Sequence, residues 1–511
     1  ISMKKKANAA LVAVILIIAM LAVPVNMAFG GWAMHSRAGN YIPFDYSYNI
    51  LQSAEKDAII FTNGDNDTFP VWYLQDVEGV RRDVRIVNLS LGNTLWYVYA
   101  LKNQEPWGAK KLPLSFTDES LMLSETDPKA LSYDWGEAKS ETINIPKDVM
   151  SQFTDDPALI ENGKMSFTFI GKPLGVREGK NNFLFRVQDK LILDILKTTK
   201  MTRPIYFSTT VGPDVYCGLD KFFRNEGMVI RVCPVEQKAP SGGEKLDAKI
   251  FEKCLMNIDN SNNFHKEQNY GFKLRNLNNS GVFYDEVHRR LIPSYRKLYL
   301  DYATYEQNEN KNPKKAVAIL DTMEKYISRV QFPLTYEYYF RISKIYRDGG
   351  NIDKSKAFAI EGIKECNEII ENKDMNTEIQ YYELIGKYYG PYRISSLLYE
   401  TLGDYKNAID RLKQLHAKTM AFFQQIKDRP EYQEELQRTQ YNMVDLQANI
   451  DELTIDEIAK TQSKDKALKA AKELLVKYSD STNQVMMYLR KYVEAKIRDM
   501  ETNKDTSIGK K

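Results

Sequence analysis

The sequence predicts three parts in series: one N-terminal membrane helix, an α/β domain on a parallel sheet, and an all-α tail of paired helices. Three observations predict it. Lys4–Lys6 precede a long apolar stretch, residues 7–31. Ala58–Thr62, Arg85–Leu89 and Arg203–Thr210 read as short buried strands, and the first two are separated by a helical stretch. After residue 236, Gly and Pro thin out and a helical period takes over.

The apolar stretch has two readings. Met3, three Lys and an apolar region resemble a secretory signal peptide. The stretch is also close to the length a retained bilayer-spanning helix needs, with residues 1–6 as its basic cytoplasmic flank. Its length favours the retained helix. Both readings carry residues 35–511 across the membrane.

The α/β domain is expected over 40–236. Tyr48–Ala54 is a short helix feeding the first strand, Ala58–Thr62. Short apolar runs without alternation suit strands covered on both faces. Phe69–Glu78 is a helix with Asp67 or Thr68 as cap, Pro70 in its first turn and Gly79 as its left-handed stop. Arg85–Leu89 is the second strand, and Leu95–Lys102 follows an Asn93-Thr94 cap. Residues 104–165 carry scattered Pro and charge and read as a loop-rich insertion. Ser166–Ile170 alternates like an edge strand. Gln188–Thr199 has Leu191, Ile192, Ile195 and Leu196 on one face and leads into the third strand. Leu219–Phe223 opens a helix, and Met228–Val232 is a fourth strand. The expected arrangement is three-layered and Rossmann-like.

Residues 237–250 are the linker, with Gln237–Gly243 its core. Residues 251–495 are expected to be helical. Leu298–Tyr305 and Val317–Tyr326 flank Asn312-Pro313; Ile342–Arg347 and Ala357–Cys366 flank Gly349-Gly350-Asn351. Leu397–Leu402 precedes Gly403-Asp404-Tyr405 and Ala408. An aromatic, a turn with Gly, Asp or Asn, then a small residue is the tetratricopeptide grammar. Ala316, Ala357 and Ala408 lie 41 and 51 residues apart, beyond the usual period of about 34. Phe422–Arg490 forms two or three long charged helices, and residues 496–511 are a tail.

Composition excludes several functions. A net charge of +3 over 511 residues gives no nucleic-acid footprint. Four Cys are too few for a disulfide scaffold; Cys217 and Cys233 could pair in an oxidising compartment or remain buried thiols. No phosphate-binding Gly loop, nucleophile elbow or zinc motif occurs, and the four His are scattered. Asn63, Asp65 and Asp67 alternate like the start of a calcium loop. Thr68 stands at the required Gly, however, and Leu74 at the bidentate Glu. No metal, cofactor or catalytic residue is assigned.

Polar residues collect at one edge. Asn63, Asp65, Asp67 and Thr68 follow the first strand, and Asn88, Ser90, Asn93 and Thr94 end and follow the second. Open α/β sheets bind ligands outside the carboxyl ends of their strands. These eight residues are the candidate ligand or acceptor site. The alternative is a capped turn whose Asn and Asp serve backbone groups.

The stretch FTNGDNDTFPVWYLQDVEGVRRDVRIVNLSL (Phe61–Leu91) resembles the bacterial membrane family known as domain of unknown function 2723. QDKLILDIL (Gln188–Leu196) and RPIYFSTTVGPDVYCGLDKFFRNEG (Arg203–Gly227) resemble its further blocks. That family is similar to the animal enzymes that O-mannosylate plexin-type receptors. It is placed among the GT-C glycosyltransferases, which use lipid-linked sugars. The resemblance implies that the apolar stretch is a last membrane helix in the inner membrane. Residues 35–511 would then be periplasmic, and the catalytic membrane part would lie outside this chain. It also implies membrane lipid, a lipid-linked sugar and an acceptor protein as partners. The family's usual acidic stretch after the last helix is replaced here by WAMHSRAGNY (Trp32–Tyr41). A second reading is a non-catalytic, membrane-anchored scaffold that binds protein through its helical repeats. A secreted hydrolase would need a cleaved leader and an active site of its own.

Overall fold

The computed structural model describes residues 2–124, 126–177, 180–239, 244–372, 377–480 and 484–502. Ser2–Gly30 is a continuous helix. Among the described residues it holds the one segment, Ala9–Gly30, long and apolar enough to cross a membrane, and no described residue covers it. The side chains of the basic flank, residues 1–6, and residues 503–511 of the tail lie outside the described residues.

The chain forms two compact units, Ile1–Pro333 and Leu334–Lys511. In the first, ten strands follow in order among the described residues: β1 Ile59–Thr62, β2 Arg85–Asn88, β3 Asp134–Gly136, β4 Lys139–Asn144, β5 Lys164–Phe169, β6 Lys172–Arg177, β7 Lys180–Phe185, β8 Ile205–Ser208, β9 Phe223–Glu226 and β10 Val229–Val232. The main sheet has the order β2-β1-β8-β10-β9. β2, β1 and β8 run parallel, with Ile59 opposite both Arg85 and Ile205. β10 and β9 are antiparallel, so the sheet is mixed. The expected helix from Leu219 is a single 3-10 turn, Asp220–Phe222, that runs directly into β9. Glu226 and Val229 pair across a two-residue loop whose first residue, Gly227, has φ +68°. A hairpin therefore takes the place of a crossover helix.

Every residue of β1, β2 and β8 is buried, as apolar runs without alternation require. Phe61 and Phe207 meet across them with ring centroids 4.8 Å apart. Leu191, Ile192 and Ile195 of the Val187–Thr199 helix pack into the same core. The insertion supplies β3 and β4; β5, at the expected edge strand, alternates in burial and pairs with β4. Cys217, Cys233, Cys254 and Cys366 are free and buried.

Two stretches differ from the expected helical tail. Residues 244–250 of the linker are tied to the sheet, because the Asn225 N–H donates to Lys245 and the Asp247 N–H to Asn225. Residues 240–243 lie outside the described residues. Residues 257–285 are largely irregular. Their backbone groups are satisfied by side chains of the Ile42–Ser53 helix in place of a helical ladder. Asn49 exchanges two 2.8 Å bonds with the Lys273 backbone, and Asp45 accepts from the Arg275 N–H at 2.8 Å and its guanidinium at 2.6 Å.

Helix pairs follow. Ile292–Asn308 with Pro313–Tyr326 closes the first unit. Tyr336–Asp348 with Ile352–Glu371, and Pro391–Leu402 with Tyr405–Ile426, open the second. Asn312, Asn351 and Asp404 cap the second helix of each pair through their side chains. Four residues after each cap comes a buried small residue: Ala316, Ser355, Ala408. Ala357 is exposed, so Ser355 takes the position expected of it. An extra helix, Thr377–Leu384, lengthens the last interval. The final helix runs from Gln484 to Thr502, beyond the expected start of the tail at 496, because Val493, Ile497 and Met500 bury one face.

Candidate functional site

β1, β2 and β8 end side by side, which brings Thr62, Asn88 and Ser208 to one edge of the sheet. The loop after β1 turns back over this edge. Its expected cap does not form: neither Asp67 nor Thr68 caps the Phe69–Asp76 helix through its side chain. Asp67 faces the loop instead. Its Oδ2 accepts from the Asn63 N–H at 3.2 Å, and its Oδ1 from the Gly64 N–H at 2.9 Å. The Thr210 hydroxyl donates to Oδ2 at 2.5 Å and contacts Ser208 Oγ at 2.8 Å. Asp67 thus ties the loop to the end of β8, and it is 3% exposed.

A second chain of bonds joins β1 to β2. Thr68 Oγ1 donates to Thr62 Oγ1 and accepts from Asn88 Nδ2, both at 2.8 Å. Asn88 Oδ1 accepts from the Leu91 N–H at 2.8 Å, and its own N–H donates to the Tyr97 hydroxyl at 2.9 Å. Burial pushes that hydroxyl up to about 12, so it stays protonated. Ser90 Oγ donates to the Asn63 carbonyl at 2.6 Å. Asn93 exchanges bonds with Gln188, its Nδ2 donating to Oε1 at 2.6 Å and its Oδ1 accepting from the N–H at 3.2 Å. Thr94 donates to the Leu91 carbonyl at 2.7 Å and leaves the next helix without a side-chain cap.

The eight residues therefore come together, but not as eight ligand groups. Asn88, Asp67 and Thr68 form a buried polar floor. Asn63, Ser90, Asn93 and Thr94 lock the two loops. Among the described residues, the Asp65 carboxylate is the exposed acid on this edge with no hydrogen-bond or ion-pair partner. Thr210, Ser208 and Gln188 belong to the constellation too. The hydroxyl-rich end of Arg203–Thr210 signals the first two; nothing local signals Gln188. An acid whose oxygens already take three donors and whose side chain is buried is poorly placed to remove a proton from a ligand. The edge suits recognition of hydroxyl or amide groups better than catalysis. Among the described residues no group of three or more His, Cys, Asp or Glu is placed to hold a metal.

Residues 43–169 and 176–250 match the family model TMEM260-associated domain 2. The match covers the mixed-sheet region, under half of the 511 residues, and over that stretch the chain is similar to the TMEM260 family. No curated protein and no solved structure matches the chain. The TMEM260-associated domain thus contains the whole sheet edge described above, and ends inside the Ala248–Leu255 helix.

Proposed function

We propose that this chain is the extracytoplasmic C-terminal region of a GT-C-like membrane glycosyltransferase that O-glycosylates protein from a lipid-linked sugar. The TMEM260-associated domain carries this reading, because it sits directly behind a helix able to span a membrane. Residues 35–511 would occupy the periplasm, anchored in the inner membrane, and the catalytic membrane part would lie outside these residues. The edge around Asp65 would hold the acceptor polypeptide or a sugar, with Asn63, Asp67, Thr68, Asn88, Ser90, Asn93 and Thr94 shaping it. The sheet would be a Rossmann-like variant and the helix pairs tetratricopeptide-like. Membrane lipid, lipid-linked sugar and acceptor protein are the partners, and nucleic acid is not.

Asp65→Ala in the full-length membrane protein tests the site. The expected result is reduced glycosylation of periplasmic protein with unchanged folding and membrane content. Asp67→Ala should lower glycosylation too, by loosening the loop it holds. Full glycosylation in both variants would remove this edge from the reading. A second reading, a non-catalytic scaffold, is favoured by the helix pairs with their repeated cap and buried small residue. Crosslinking of the intact protein in membranes should then recover a protein partner bound through residues 334–502, whatever the state of glycosylation.

A further inference from the structure

The other end of β2 carries a cavity of about 310 Å³, within the range of roughly 300–1,000 Å³ of small-molecule sites. The Phe69–Asp76 and Leu95–Asn103 helices and the Pro106–Gly108 turn surround it. Three of the protein's five Trp line it: Trp72, Trp96 and Trp107. Trp96 is 62% exposed and Trp107 53%, although aromatic rings gain by burial. Trp107 has φ +52°, a left-handed conformation that costs a non-glycine residue energy. Its ring stacks with the Arg82 guanidinium 5.9 Å away. The chain thus spends strain to keep an indole at the surface.

Arg85 lines the inner wall. It is 5% exposed. Its Nη2 donates to the Ala100 carbonyl at 3.2 Å. Its Nε and Nη1 are buried and have no acceptor. Leaving charged donors unsatisfied is costly, and a carboxylate or phosphate is the group a guanidinium fork accepts. Burial pulls the Arg85 guanidinium below its ordinary value, against the opposing charge of Glu105.

We infer that this cavity binds an anionic saccharide, a pyranose bearing a carboxylate or phosphate. Indole faces stack on the C–H face of a pyranose, Asp76 and Gln104 on the lining offer partners to its hydroxyls, and Arg85 receives the acid group. A neutral sugar would leave Arg85 unpaired, and a bare anion would leave the exposed indoles unused. The inference stands apart from the transferase reading, because binding is read directly.

The experiment is a titration of intrinsic tryptophan fluorescence on the full chain in detergent. The probes are glucuronate, glucose 6-phosphate, glucose and inorganic phosphate. Glucuronate or glucose 6-phosphate should give a saturable change at concentrations about tenfold or more below glucose and phosphate. Trp96→Ala and Trp107→Ala, both at exposed positions, should each weaken that binding by about three- to tenfold. Arg85→Gln should abolish the preference for the acid over glucose. If Arg85→Gln fails to fold, Arg85→Lys, which keeps the charge and loses the fork, should weaken binding of the acid alone. A flat titration with both acids overturns the inference. So does phosphate binding as tightly as glucose 6-phosphate, glucose binding as tightly as the acids, or unchanged affinity in both Trp variants.

Discussion

Asp65 and Asp67 are two residues apart and behave oppositely. Asp67 accepts two backbone N–H bonds and the Thr210 hydroxyl, so three part-buried donors converge on one buried carboxylate. Asp67→Ala should lower unfolding stability by about 2 kcal/mol, read from the urea midpoint. Asp65→Ala should stay within about 0.5 kcal/mol. Equal losses would mean that the loop is not held from inside. The sequence made the clustering of these acids legible, since Asn, Asp and Thr crowd the end of an apolar run. It did not make their division of labour legible. That depends on Thr210, 143 positions away in the chain, and on a loop that turns inward where a local cap was expected. Gln188 was hidden for the same reason: it reaches Asn93 only through the packing of its helix.

Elements that bury an apolar face were readable, and elements fixed by polar contacts were not. β1, β2, β8 and the Val187–Thr199 helix lie close to their expected positions, because burial on one or both faces leaves a period in the residues. The hairpin β9–β10 was expected as a helix start followed by a strand, since Phe223–Glu226 is too short to show alternation. Gly227 is the residue that decides it. A Cβ there would sit 2.6 Å from Ser53 Oγ and 3.1 Å from Cys254 Sγ. Ser53 cannot give way, because its hydroxyl donates to the Asn49 carbonyl and accepts from the Met228 N–H. Gly227→Ala should therefore cost about 2 kcal/mol or more, from positive φ and from overpacking together. Gly350→Ala shares the positive φ but meets open space, and should cost only about 1–2 kcal/mol. Urea unfolding followed by circular dichroism compares the two; a smaller loss at Gly227 would contradict the packing. Likewise the caps Asn312, Asn351 and Asp404 were legible as turn residues, whereas Ser355 was masked by the alanine two positions later.

Over the whole molecule, carboxyls are pushed in opposite directions by their surroundings, and the helical second unit carries the largest upward shifts. In the first unit, Asp83 is desolvated, but the hydrogen bonds and charge of Arg81 outweigh this and hold its carboxyl below the usual range. Such a group adds stability above its unfolded value and loses it as pH falls through the folded one, so the Asp83–Arg81 pair weakens in acid. In the second, Glu383 is 1% exposed. Its Oε1 accepts from the Arg393 N–H at 2.9 Å, and its Oε2 has no partner. The Arg393 guanidinium is already committed to Asn442 and Asp445, both at 2.7 Å. Burial therefore dominates and pushes Glu383 up to about 7 from 4.5. Glu365, desolvated and beside Glu337 and Glu368, is also pushed up to about 7. Between those values the unfolded chain releases protons that the folded unit retains. The unfolded state then binds fewer protons, so stability falls as pH rises from about 4.5 to about 7 and levels off above. Glu383 alone accounts for up to about 3 kcal/mol of that fall. Thermal unfolding followed by circular dichroism at pH 5 and pH 7.5 should show the helical unit melting later at pH 5. Glu383→Gln, which keeps the shape and removes the charge, should narrow the gap by raising the value at pH 7.5. A wild-type helical unit as stable at pH 7.5 as at pH 5 would mean that Glu383 finds an acceptor for its charge. A gap unchanged by the Gln substitution would place the titration on Glu365 and on Glu400, which burial also raises.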